Sequence, residues 1–457
     1  MDELSEAYWM PFTARNGFRK EPRIIVGAES CHYVSEDGRK VFDSLSGLWC
    51  CGYGHNRPEI AEAVSKQLSS LDYSPAFQYG HPKVFELADR LVGLAPEQLN
   101  HVFFTDSGSE SADTSLKIAR AYWRMAGRPE KTKMIGRIKG YHGANFAGTS
   151  LGGIGPNRRL FGLLADSDHL PHTLRKEDAF SRGQPQGGEE LADHLEDLVM
   201  LHDASNIAAV IVEPIAGSAG VIVPPSAYLQ RLRAICDRHD ILLIFDEVIT
   251  GFGRTGDRFG SDAFGVVPDI MNLAKALTNG AVPMGAVLVK DEIYRAFVDE
   301  NAADHLIGLP HGYTYTGHPV ACAAALAAMD IFEQEDMPAR VRALAPIFEN
   351  TLHALKGEQN VVDIRNFGLA GAIQIEARDQ DPMIRPYEIG LACWKEGLYV
   401  RWGGDTLQFA RYLPMIAERG AKVIVECPSV LADLISRVDH VSQVLDFGVS
   451  LPPHDFQ

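Results

Sequence analysis

From about residue 100 to residue 300 the chain alternates short apolar runs with amphipathic stretches, and this alternation narrows the fold more than any other feature. Residues 101–105, 134–138, 207–213 and 241–248 read as short buried strands. Helical patterns fill the gaps, notably from about 110 to 125 and at 226–239. In the first of these, Ala112, Leu116, Ala119 and Trp123 recur at helical spacing and mark a buried stripe. Strands that alternate with helical crossovers predict an α/β fold with a mainly parallel, helix-covered sheet. Two further helices are predicted at 58–70 and 82–94. From about 320 the pattern changes to an Ala-rich helix, a second helix, and short strands near 361–376 and 398–401. That predicts a smaller α+β unit. The first 45 residues read as a β-element with a hairpin signal at Asp37-Gly38.

One lysine stands out against this frame. Lys275 follows the apolar run that begins at Pro268 and precedes a turn marked by Gly280, Pro283 and Gly285. It is therefore expected at a strand end facing a cleft. Asp246 closes another buried strand 275 − 246 = 29 residues earlier, room for one crossover between neighbouring strands. Carboxyl ends of strands are where an open α/β sheet takes its ligands. Further upstream, Asp106-Ser-Gly-Ser-Glu110 sits between a strand and a helix, a geometry that offers free N–H groups and a positive helix end to an anion. A plain Ser/Gly helix cap has the same sequence. Glu213 ends a strand before a proline, which also suits a simple turn residue.

Several function classes are disfavoured. The formal charge of −17 argues against nucleic acid and anionic membrane as partners. No run of ~18 apolar residues is present, so no spanning helix is expected. The amino end is acidic and lacks a signal-peptide pattern. The seven cysteines are scattered without metal-ligand spacing, so no metal is expected and a cytoplasmic protein with reduced thiols is the simple reading.

The order of motifs is more specific. Ser107-Gly-Ser-Glu110, Gly140-Tyr-His-Gly143, Glu213-Pro214, Asp246-Glu-Val248 with Gly251-Phe-Gly-Arg-Thr-Gly256, Lys275, and His311-Gly-Tyr-Thr-Tyr-Thr-Gly-His-Pro319 resemble the class III pyridoxal-phosphate aminotransferases from about residue 5 to 409. Trp9-Met-Pro-Phe12, Ser46-Gly-Leu-Trp-Cys50 and Val400-Arg-Trp-Gly-Gly-Asp405 are most similar to the ω-amino acid:pyruvate (β-alanine:pyruvate) branch. The resemblance implies the fold type I architecture of pyridoxal 5′-phosphate enzymes. It implies residues 1–45 as the amino-terminal part of a small domain, 46–319 as a large cofactor-binding domain, and 320–409 as the rest of the small domain. It also implies a homodimer or homotetramer with its sites at the subunit interface. Its ligands would be a small-molecule amino donor and a keto-acid acceptor.

The residue types suit that chemistry. An aldehyde cofactor needs an amine to hold it, and a lysine in a desolvated pocket can also serve as a base; Lys275 fills this role. A carboxylate keeps the ring nitrogen protonated, which points to Asp246. Val248 shares the side of Asp246, and Tyr141 would stack on the opposite ring face. Gly108 and Ser109, with Ser107 before them, would hold the phosphate, helped by Thr314 from the partner. Glu213 would support the cofactor's surroundings, and His142 looks structural rather than catalytic. Arg401 matches the family arginine that binds carboxylates, for which a bidentate guanidinium suits better than an ammonium. Trp49, Phe77 and Tyr141 would form apolar walls, with Phe12 nearby.

After Phe409 the resemblance ends, and residues 410–457 read as an atypical tail similar to a fragment of a nucleotide-sugar-binding α/β protein. Three functions follow as expectations: ω-amino acid to pyruvate transamination, an aminomutase on the same scaffold, or a cofactor-binding protein impaired by its tail.

Overall fold

The computed structural model describes residues 5–162 and 166–410. The expected tail lies outside the described residues, apart from Ala410. Fifteen strands are described: β1 (Ile25–Glu29), β2 (His32–Ser35), β3 (Lys40–Asp43), β4 (Leu99–Thr105), β5 (Lys133–Arg137), β6 (Ser167–Leu170), β7 (Ile207–Val212), β8 (Leu242–Asp246), β9 (Ile270–Leu273), β10 (Gly285–Lys290), β11 (Val361–Phe367), β12 (Ala370–Ile375), β13 (Leu398–Tyr399), β14 (Arg401–Gly403) and β15 (Thr406–Phe409).

Seven of them build the central sheet in the order β4-β10-β9-β8-β7-β5-β6. Strands β6, β5, β7, β8 and β9 run parallel, while β10 is antiparallel to both β9 and β4. The mainly parallel α/β reading therefore holds. Every residue of β7 and β8 is buried, as expected where helices cover both faces of a sheet. One face packs on Leu116, Ile118, Ala119 and Trp123 of the helix Gly108–Met125. The other packs on Leu229, Leu232 and Ile235 of the helix Tyr228–Arg238.

Two smaller sheets flank this core. One has the order β1-β2-β3-β13, so the amino-terminal β-element pairs with a strand from the far end of the chain. The β2–β3 hairpin turns at Gly38, which has φ 83°. The other sheet has the order β11-β12-β15-β14. The helices Pro58–Ser70 and Pro82–Leu94 coincide with the sequence expectation, and each begins with the proline that suits a first helical turn. The Ala-rich helix Pro319–Gln334 packs against both. Small side chains let it lie close to its neighbours. Among the described residues, no helix is long and apolar enough to cross a membrane.

Candidate active site

Asp246 ends β8, and Lys275 follows β9 after one residue. The two strands are neighbours, with Asp246 opposite Asn272 in the register. Lys275 takes the left-handed conformation (φ 50°), unusual for a side chain of its size. The following turn closes with Gly280 N–H donating to the Lys275 carbonyl oxygen at 3.2 Å. Lys275 Nζ has no hydrogen-bond or ion-pair partner among the described residues. Burial lowers its pKa from the ordinary lysine value, while Cys50, Asp246 and Glu213 pull it the other way.

Asp246 is buried and fixed from two sides. His142 Nδ1 lies 2.8 Å from its Oδ2, and Val248 N–H donates to its Oδ1 at 3.3 Å. His142 was read from the sequence as structural; it touches the carboxylate directly, and its buried Nε2 has no partner among the described residues. Glu247 points to the other face, as strand alternation predicts. It accepts N–H bonds from Gly260 (2.7 Å) and Ser261 (2.6 Å), and burial pushes its carboxyl up to about 7. It therefore anchors the next loop and takes no part in the cleft.

The helix Gly108–Met125 begins against these strand ends. Ser107 is its N-cap, with Oγ accepting from Glu110 N–H, and the Glu110 carboxylate reaches back to Asp106 N–H at 2.7 Å. The Glu110 carboxylate thus serves the residue before the N-cap, one position off the reciprocal Ser-x-x-Glu box. Gly108 lies so close that an added Cβ would sit 3.0 Å from Val248 and 3.5 Å from Ala274. The helix start, Val248 and the neighbour of Lys275 thus converge. Ser109 Oγ accepts from Ala144 N–H at 3.1 Å, tying the Tyr141-His142 loop to the same helix start.

Glu213, buried at the end of β7, accepts from Tyr141 N–H (2.9 Å) and Gly217 N–H (3.1 Å). It positions the Tyr141 loop and is more than a turn residue. Burial pushes its carboxyl up to about 7, with His142 pulling the other way. Arg401, on β14, donates to the Ser218 carbonyl oxygen at 3.3 Å and to Gln408 Oε1. Burial raises the pKa of the Tyr141 hydroxyl, and the Arg401 charge opposes it.

The remaining sequence-predicted residues separate into two groups. Trp49 is 2 % exposed and packs in the second apolar core, with the Arg254 guanidinium 5.8 Å from its ring. Phe77 and Thr314 are brought together on the surface: an added Cβ on Gly312 would meet the Phe77 ring, and Tyr73 Oη donates to the Thr314 carbonyl oxygen at 3.0 Å. Phe12 is exposed. The sequence reading missed Gln408 and Ser218. The turn at Gly404-Asp405 could have found Gln408, because a two-residue loop there pairs Arg401 with Gln408.

A family model described as aminotransferase class-III matches residues 14–424. The chain is 63% identical over 404 residues to a beta-alanine–pyruvate aminotransferase of Pseudomonas aeruginosa, covering 88% of this chain and 90% of that one. It is 62% identical over 406 residues to an omega-amino acid–pyruvate aminotransferase of Pseudomonas putida, with the same coverage of 88% and 90%. Among solved structures it is similar to an amine transaminase from an uncultivated Pseudomonas species in its PLP-bound form. That similarity has a TM-score of 0.86 and 35% identity, over 94% of this chain and 99% of that one. An (S)-enantioselective omega-transaminase from Thermomicrobium roseum gives a TM-score of 0.85 at 34% identity, over 94% and 96%.

Proposed function

From its membership of the class III aminotransferase family, to which this chain belongs, we propose that it transfers the amino group of an ω-amino acid of the β-alanine type to pyruvate with pyridoxal 5′-phosphate as cofactor. The relatives at 62% and 63% identity, named for that reaction, support the substrate pair. The observation that carries the site is the partly buried Lys275, without a bonded partner among the described residues, beside the oriented Asp246 carboxylate.

The residues fit the cofactor. Lys275 offers an amine without competing partners among the described residues, Asp246 a fixed carboxylate, and the helix start at Ser107, Gly108 and Ser109 a positive end for a phosphate. Val248 and Tyr141 offer two flanking surfaces, and His142 and Glu213 hold Asp246 and the Tyr141 loop in place. When bound, the cofactor supplies the aldehyde that receives the amino group and a ring that withdraws electrons from the reacting carbon. Asp246 holds a proton at the ring nitrogen. Lys275 Nζ removes the proton from the amine-bearing carbon of the donor, and in the second half-reaction gives one to the keto carbon of pyruvate. A lysine held below its ordinary pKa can do both near neutral pH. Arg401 receives the carboxylate of β-alanine or pyruvate.

The active unit is proposed to be a homodimer or a homotetramer. Leu71, Tyr73, Phe77, Tyr79, Leu306, Ile307 and Tyr315 are exposed apolar residues of the two segments that meet at Phe77 and Thr314. A patch of that kind is expected to be covered, and a second copy would bring Phe77 and Thr314 to its site. Pairing of β3 with β13 supports a small domain made from residues 1–45 and 320–409 beside a large one at 46–319. A cytoplasmic location is proposed with it. Substrate-dependent conversion of β-alanine with pyruvate by the purified holoenzyme tests the function, and absence of L-alanine would refute it.

A further inference from the structure

Arg401 is a partly buried cation whose bonded partners among the described residues are neutral oxygens, and it makes no ion pair there. Its principal partner is Gln408. The two are directly opposite on β14 and β15, so their side chains share one face of the small sheet. Gln408 is fully buried. Its Oε1 accepts from the guanidinium, and its Nε2 donates to the Ser218 carbonyl oxygen (3.1 Å) and to Thr406 Oγ1 (3.2 Å).

This pattern allows one orientation of the amide. A guanidinium only donates and a carbonyl oxygen only accepts, so a flipped amide would set N–H against N–H and O against O. Arg401 and Gln408 also share the Ser218 oxygen. That oxygen belongs to the loop whose Gly217 N–H is held by Glu213. Arg401 is thus tied to the Tyr141 loop through neutral groups.

We propose that Gln408 is a specificity-determining positioning residue, which holds Arg401 with a neutral amide and so leaves the guanidinium charge for the carboxylate of the substrate. The proposal rests on the reading that Arg401 receives that carboxylate. A carboxylate at position 408 would fill the same space and pair with Arg401, so a substrate carboxylate would have to displace a permanent, tethered competitor. An amine without a carboxylate never uses Arg401 and is indifferent to the exchange.

The test compares holoenzyme of wild type, Gln408→Glu, Arg401→Ala and the double variant. It uses β-alanine and pyruvate as carboxylate substrates and a primary arylalkyl amine as the donor without one. Gln408→Glu is expected to raise KM for β-alanine and pyruvate by roughly tenfold or more. It should leave kcat/KM for the arylalkyl amine half-reaction within about twofold. In the Arg401→Ala background the same exchange should add almost nothing, because its effect runs through the guanidinium. An unchanged KM for β-alanine and pyruvate would overturn the proposal, as would equal losses for both kinds of amine or additive effects in the double variant. If Gln408→Glu does not fold, Gln408→Met removes the acceptor at similar volume and is read for the same split. Failure of wild type to use β-alanine at all would refute the proposed reaction, and the comparison with pyruvate would still decide the role of Gln408.

Discussion

His142 Nδ1 lies 2.8 Å from Asp246 Oδ2, with both side chains buried. A carboxylate left alone at a strand end could rotate about its terminal bond. This contact, with the Val248 N–H on the other oxygen, sets one plane for it. Asp246→Asn should keep much of the cofactor affinity yet cut turnover by roughly two orders of magnitude or more, because a neutral amide cannot keep the ring nitrogen protonated. His142→Phe should cost less, about tenfold, because it frees the carboxylate without removing it. Steady-state rates beside cofactor affinity for each variant decide this. Near wild-type turnover of Asp246→Asn would place the electron-withdrawing role elsewhere.

Lys275→Ala should abolish turnover, a loss of at least roughly 10²- to 10⁴-fold for the base function alone. Borohydride treatment of wild type and peptide mapping should find the phosphopyridoxyl group on Lys275. A label on another lysine would move the site.

Glu213 predicts a pH-dependent stability. Its carboxyl is pushed up to about 7 in the fold from an ordinary 4.5, chiefly by burial. The folded state therefore binds the proton more tightly than the unfolded chain does. The resulting stability is present below the unfolded value and is lost as pH rises through about 7. Between pH 5 and 8 the wild type should lose stability relative to Glu213→Gln, by up to roughly 3 kcal/mol. Unfolding midpoints of the two proteins across that range test it, and a constant difference would mean that Glu213 is an ordinary ionised carboxylate.

The exposed patch around Phe77 predicts at least a dimer in sedimentation equilibrium. Phe77→Asp should weaken association and activity together, since a charge in a covered apolar patch lacks a partner. A fully active monomer would contradict this.

Much of this was legible in the sequence. The strand–helix alternation has a strong period, and Lys275, Asp246 and the helix start at Gly108 sit at its punctuation points. Helix boundaries at Pro58 and Pro82 were readable because proline marks a first turn. What was not readable depends on which side chains meet across long separations. The contact of His142 with Asp246 joins residues 104 apart. The contact of Arg254 with the Trp49 carbonyl oxygen joins residues 205 apart. The Gln408–Ser218 bond spans 190 residues and is set by packing of the small sheet on the loop after β7. No local pattern encodes such pairs.

Pyruvate dependence tests the proposed reaction most directly. Purified holoenzyme is given β-alanine with and without pyruvate, and both L-alanine and the aldehyde product are quantified. The expected result is one L-alanine per β-alanine consumed, with no sustained turnover when pyruvate is left out. Sustained conversion of a substrate without any amino acceptor would contradict transamination and identify an aminomutase on this scaffold.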